Sequence, residues 1–299
     1  MEEKLFDADF FRSLQRVSLI SGQRMNGGRG GMRRSSSRGG SVEFSDFREY
    51  LPGDDIRRID WNAYARSERL FIKLFMQEQE GMYTIVLDNS ASMTEETGKK
   101  SVMSARLAGL FGHLALQAQD RIRLATIASG VTKVEKGLSG MQSRTTFLEQ
   151  LQRVEFAGGT DLWGSLRKIP FPRRGTTIVL SDFMDRDAKP GNMEQIKEAL
   201  RYLRYRKQEI LLVQIMADEE IRPSLEGTIC LVDEETEEKM KITMSGKLLR
   251  QYEKQQELFR RELQEIARGY QAYFMQVHTG MPLEQVIYQG MRQGMLEHI

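Results

Sequence analysis

From residue 82 to the end, short apolar runs alternate with longer segments of helical period, and no other feature of the chain restricts the fold as strongly. The runs "MYTIVLDN", "RIRLATIAS", "GTTIVLSDF", "EILLVQIMA" and "QAYFMQVHT" are short and almost continuously apolar, as strands buried on both faces must be. Between them, "SVMSARLAGLFGHLALQAQ" is apolar or small nearly all round, the mark of a buried helix. "MQSRTTFLEQLQRV", "NMEQIKEALRYLRYR", "KLLRQYEKQQELFRRELQEIARGY" and "PLEQVIYQGMRQGM" also read as helices, the long third one with Leu249, Tyr252, Phe259, Leu263, Ile266 and Tyr270 near one face. This alternation predicts an α/β fold: a doubly wound, mostly parallel central sheet with helices on both faces. "GTICLVD" and "EKMKITM" fit either a hairpin or an extended excursion, and no internal repeat is visible.

The first 80 residues break the pattern. Residues 4–20 space Leu5, Phe6, Phe10, Leu14 and Val17 as a helix does. "SGQRMNGGRGGMRRSSSRGGS" then offers almost nothing to bury, so its ordering entropy is not offset and mobility is expected. It reads as a solvated basic linker or, through residues 24–38, as an arm for nucleic acid or phosphate. Order returns over residues 43–80, with a turn at Pro52–Asp54 and a strand in "RLFIKLFMQ". Asp54, Asp55, Arg57, Arg58, Asp60 and Arg66 are candidates for an ion-pair network, with Trp61 as a packing anchor. The expected organisation is residues 1–42 as a helix plus mobile segment, 43–80 as a β-containing extension packing on the core, and 81–299 as the α/β domain. On that division, removing residues 1–40 should leave the fold intact.

Composition narrows the function classes. A formal net charge of +2 argues against a whole-protein basic footprint for nucleic acid. The single cysteine, Cys230, forms no intramolecular disulfide and fits a reducing compartment. No apolar run approaches the roughly 18 residues of a membrane span, and "MEEKLFDADFF" lacks the basic and apolar regions of a signal peptide. A cytoplasmic location is the expectation.

In open α/β sheets, ligands sit beyond the carboxyl ends of the strands. Asp88, Ser90 and Ser92 follow the first strand of the alternating region, Asp182 follows "TTIVLS", and Thr160 lies in "AGGTDL" ahead of a short helix. These are hard oxygen ligands with no histidine or cysteine among them, which suits Mg²⁺ or Mn²⁺ and not zinc. Each also has an ordinary alternative: Ser90 or Ser92 as a helix cap, Asp88 and Asp182 as turn residues, Thr160 as the N-cap of "DLWGSLRKI". A serine nucleophile needs a base, and of the three histidines only His278 follows a strand. No Gly-x-Ser-x-Gly elbow surrounds Ser90 and no phosphate-binding P-loop occurs, so serine hydrolysis and P-loop ATPase activity are disfavoured. A metal-dependent hydrolase using Asp88 and Asp182 stays open as an alternative.

The order Asp-x-Ser-x-Ser, then Thr, then Asp after a strand resembles the metal-ion-dependent adhesion site of von Willebrand factor A-type domains. "GGTDL" and "VLSDF" resemble that family's neighbourhoods of the second and third segments. "VEFSDFREYLPGDDIRRIDWNAYARSERLFIKLFMQEQE" resembles the signature segment of domain-of-unknown-function family fifty-eight, whose members join it to a von Willebrand A-like domain, and "MRRSSSRGGS" resembles their Arg/Gly-rich lead-in. The resemblance implies a non-enzymatic interaction module. Asp88, Ser90, Ser92, Thr160 and Asp182 would hold Mg²⁺ or Mn²⁺, and an acidic side chain of a protein partner would complete the shell. It also implies a MoxR-type AAA+ ATPase as partner. Asp161 and Asp185 lie beside the site residues and are candidates to tune it.

Overall fold

The computed structural model describes residues 5–20, 42–77, 80–94, 99–159, 161–184, 190–221, 223, 227–232 and 239–298. The Gly/Ser/Arg-rich stretch, Thr160 and Asp185 lie outside the described residues. Two compact units emerge, one of residues 1–21 and 81–299, the other of residues 22–80.

The larger unit is built on a seven-stranded sheet. Numbering strands along the chain, β1 is Val17–Leu19, β2 Val42–Glu49, β3 Phe71–Gln77, β4 Met82–Asp88, β5 Arg121–Ala128, β6 Val131–Val134 and β7 Leu138–Ser139. They are followed by β8 Gly175–Ser181, β9 Gln208–Met216, β10 Gly227–Val232, β11 Lys239–Met244, β12 Tyr273–His278 and β13 Leu296–His298. The sheet order is β12-β9-β8-β4-β5-β6, with β7 also on β5. The five strands from β12 to β5 are mutually parallel, whereas β6 and β7 run antiparallel to β5. The short antiparallel edge strands were not legible in the sequence because four and two residues carry no periodic signal. β10 and β11 form an antiparallel pair of their own, which decides between the two readings of that segment.

Alternate strand residues feed two cores. Ile85, Leu87, Ile122, Leu124, Ile178, Leu180, Val213 and Val277 face one side, where the helices Lys99–Gln117 and Leu283–Arg292 cover them. Val86, Ala125, Ile127, Val179, Leu212 and Phe274 face the other, under Glu194–Tyr205 and Gly246–Gly269. The doubly wound architecture read from the apolar runs is therefore the observed one. In the Lys99–Gln117 helix, Gly112 is required by close approach, since a Cβ there would collide with the Phe147 ring of the helix Arg144–Gln152. Among the described residues, no helix is long and apolar enough to cross a membrane.

The N-terminal segment differs from its expectation in two ways. The helix spans only Ala8–Leu14, and the chain then turns extended so that β1 pairs antiparallel with β13. Phe10 and Leu14 are fully buried within the same core as β4 and the Lys99–Gln117 helix. Within residues 5–20, Phe10, Leu14, Val17 and Leu19 are buried in the core on that side of the sheet, which the mobile-segment reading of residues 1–42 did not anticipate.

In the smaller unit β2 pairs antiparallel with β3, with an irregularity between Phe44 and Asp46. A 3₁₀ turn, Ile56–Arg58, and a helix, Trp61–Ser67, connect them. The acidic residues act mainly as caps. Asp55 accepts from Arg57 N, and Asp60 Oδ1 from Asn62 N and Ala63 N. The best ionic partners come from the strands: Arg48 on Asp54 at 2.8 Å and Lys73 on Asp60 at 3.3 Å. Trp61 is 63% exposed, its ring meeting Tyr64 edge-on, so it is not the buried anchor expected.

Candidate functional site

The chain enters the site at the switch point of the sheet. β4 leads to β5 on one side, and the chain then crosses back to place β8 on the other side of β4. Loops leaving β4 and β8 diverge there, opening the crevice in which doubly wound folds bind ligands. Asp88 is the last residue of β4, Ser181 is the last of β8 and Asp182 follows it; all three are fully buried.

The β4 loop is folded around Asp88. Its Oδ1 accepts from Ser90 N at 3.0 Å and its Oδ2 from Ser181 Oγ at 2.6 Å. Ser90 is the N-cap residue of the short 3₁₀ helix Ala91–Met93, yet its side chain makes no capping bond. Instead Ser90 Oγ lies 3.0 Å from Ser92 Oγ. The helix-cap alternative for Ser90 therefore fails, and two hydroxyl oxygens stand side by side next to a buried carboxylate.

Three further contacts bring in the loop before Thr160. Asn89 Nδ2 donates to Glu155 O at 2.8 Å, Ala157 N to Asn89 O at 2.9 Å, and Ala91 N to Gly158 O at 2.7 Å. Gly159 N donates to Ser129 Oγ at 2.6 Å. The following helix, Leu162–Lys168, has Asp161 as its N-cap, with Oδ1 accepting from Gly164 N, so the Asp161 carboxylate is spent on the backbone.

Just after β8, Asp182 Oδ1 accepts from Met184 N at 3.0 Å, and its carbonyl accepts from Gln214 Nε2 at 3.2 Å. Phe183 follows at φ +60°, a left-handed conformation that a bulky residue adopts only under tertiary constraint, here with its ring buried and its N–H on Ser181 Oγ. Asp182 Oδ2 accepts from Lys100 Nζ at 3.0 Å, and the same ammonium donates to Glu220 Oε1 at 2.9 Å. Ser181, Lys100 and Glu220 were not among the residues singled out in the sequence. For Lys100 no local signal separates it from Lys99, which shares the first turn and is exposed.

The electrostatics follow. Burial, and then the negative charge of Asp182, push the Asp88 carboxyl up to about 7, against the donors Ser181 and Ser90. Burial works against charging Lys100, but Asp182 and Glu220 outweigh it and hold the ammonium above its ordinary range. Burial raises Glu220, with Lys100 opposing. Lys100 thus serves two carboxylates, Asp182 and Glu220, while Asp88 is held by the Ser181 and Ser90 donors.

This donor set fits a hard divalent cation. To such an ion the paired Ser90 and Ser92 hydroxyls would offer neutral oxygens, and Asp88 and Asp182 would offer charge. Among the described residues, no group of three or more His, Cys, Asp or Glu side chains is placed to hold a metal, so any ion here relies on hydroxyls. His278, the one geometric candidate for a base to Ser90, pairs instead through Nδ1 with Asp218 Oδ1 at 2.5 Å.

Several known proteins resemble this chain. Uncharacterized proteins of Mycobacterium tuberculosis (Rv1480) and Mycobacterium bovis (Mb1516) are each 26% identical to it over 243 residues, spanning 77% of this chain and 72% of theirs. Similar solved structures include the conserved hypothetical protein BatB from Bacteroides thetaiotaomicron, at 15% identity and TM-score 0.41 over 71% of this chain and 98% of that one. The SpRpn10 VWA domain is another, at 10% identity and TM-score 0.39 over 70% and 93%. The model of the family described as "Protein of unknown function DUF58" matches residues 46–262, most of the chain, and the protein belongs to that family.

Proposed function

We propose that the protein is a metal-dependent protein–protein interaction module. Asp88, Ser90, Ser92 and Asp182, together with Thr160, hold Mg²⁺ or Mn²⁺, and an acidic side chain of a partner protein completes the shell. The observation that carries this reading is the buried Asp88, pressed by Asp182 and lacking a full counter-charge, beside two adjacent hydroxyls. When bound, the cation would supply positive charge to a buried carboxylate and attract a carboxylate of the partner. The chain's own residues do the rest. Ser181 and the Ser90 amide orient Asp88, and the β4 loop presents both serine hydroxyls.

The partner we propose is a MoxR-type AAA+ ATPase, with this protein as a cytoplasmic adaptor or assembly factor and not an enzyme. The test is capture of that ATPase from the native host in Mg²⁺ and in EDTA, with parent and Asp88→Ala. A metal-bridged carboxylate lost from an interface leaves a buried acid unpaired, at roughly 2–5 kcal/mol. Retention should then fall by about 30-fold or more in EDTA and in the variant. Equal retention in all arms rejects the metal site as the docking point.

A further inference from the structure

The helix that follows the β4 loop begins with two lysines of different fate. Lys99 reaches Glu219 at the surface, 3.3 Å away. Lys100 is 1% exposed, in the first turn of the helix, where the backbone dipole already presents positive charge. Burial and the dipole both oppose an ammonium there, so its partners must hold it. Those partners stand on different elements. Asp182 directly follows β8, and Glu220 lies in the short helix Asp218–Ile221 that follows β9. Glu220 is fixed from behind, because its second oxygen, Oε2, accepts from Ala217 N at 2.7 Å. Lys100 thus has one carboxylate that belongs to the proposed metal site and one that does not.

We propose that Lys100 is a positioning residue: an internal counter-cation that sits on Asp182 when no divalent ion is bound and withdraws onto Glu220 when one is. This rests on Asp88 and Asp182 being metal groups, as proposed above. A divalent ion approaching Asp182 meets an ammonium 3.0 Å from the same carboxylate oxygen, so Lys100 lowers affinity for the bare ion. Glu220 makes withdrawal possible by offering the ammonium a second, preformed acceptor. A carboxylate arriving from a partner adds the negative charge that Lys100 takes away, so loading becomes coupled to docking.

The test is Mn²⁺ and Mg²⁺ binding to the full chain, read by calorimetry and by Mn²⁺ spin resonance, with melting curves to confirm folding. Lys100→Met should bind either ion at least tenfold more tightly than the parent and should gain more melting temperature from added Mg²⁺. Glu220→Gln should bind several-fold more weakly, because Lys100 then has only Asp182. The double variant separates a relay from simple summed charge. If Glu220 acts through Lys100, adding Glu220→Gln to Lys100→Met should change affinity less than twofold. Unchanged affinity in Lys100→Met, or additive effects in the double variant, overturns the proposal. If Lys100→Met does not fold even with Mg²⁺, Glu220→Gln decides alone, and parent affinity in it overturns the proposal. Asp88→Asn in the parent and Lys100→Met backgrounds keeps the two levels apart. Binding abolished by Asp88→Asn but indifferent to Lys100 leaves the metal site standing and removes only the relay. Binding indifferent to Asp88, or absent from both backgrounds, removes both.

Discussion

Ser181 Oγ donates to Asp88 Oδ2 at 2.6 Å, joining the ends of two neighbouring strands whose residues are 93 positions apart. The same hydroxyl accepts from Phe183 N, which helps hold that residue in its left-handed conformation. One side chain therefore orients the central carboxylate and shapes the turn that carries Asp182. Ser181→Ala should leave a buried carboxylate oxygen without its side-chain donor, at about 1–3 kcal/mol. Melting in EDTA should fall by about 2–4 °C for each kcal/mol in a chain of this size. A change of under a degree would show that the bond contributes nothing.

Asp88 is a carboxyl whose folded value, about 7, lies above its ordinary 3.8. Between those values the folded state holds the proton more tightly than the unfolded state does. Metal-free stability from this group is therefore highest in acid, falls as pH rises through that window, and is fully lost above about 7. Asp88→Asn, which keeps the shape and removes the charge, should melt above the parent in EDTA at pH 8. The gap should be at least about 2–4 °C, equivalent to roughly 1 kcal/mol. It should close towards pH 4, and a gap that does not change with pH contradicts this account.

His113 works in the opposite direction. Burial, reinforced by the Arg144 charge, lowers it to about 4 from 6.5, and its Nδ1 has no hydrogen-bond partner among the described residues. The unfolded state then binds the proton more readily, so stability drops as pH falls from about 6.5 to about 4 and is unaffected above that window. His113→Leu should remove that acid penalty, on the order of 2 kcal/mol. Denaturant midpoints at pH 7.5 and pH 4.5 give the comparison, and the variant's advantage should be larger at pH 4.5.

Phe10 tests the N-terminal packing. It is 1% exposed and meets Phe6 and Phe11 edge-on. Phe10→Ala should cost about 3–5 kcal/mol, as large-to-small changes in a close-packed core do. Deleting residues 1–20 should cost more, since β13 also loses its partner strand. Urea unfolding of both forms decides it. Parent-like stability of the deletion would mean that this segment does not complete the core.

Much of this protein was determined by local pattern. Five apolar runs with helices between them required a parallel sheet covered on both faces, because an uninterrupted apolar strand has no wet side to offer. Asp88, Ser90, Ser92 and Asp182 were legible for a related reason: a polar residue at the end of such a run marks the carboxyl edge, where ligands bind. What only the tertiary structure decided are the partners from distant sequence. Lys100 meets Asp182 across 82 positions and Glu220 across 120, and β1 finds β13 at the far end of the chain. No periodicity encodes those pairings. They follow from strand order, which places β8 beside β4 and β9 beside β8, and from the need of every buried charge for an opposite one. Nothing local tells the buried Lys100 from its exposed neighbour Lys99, and the fold supplies the two carboxylates that hold it.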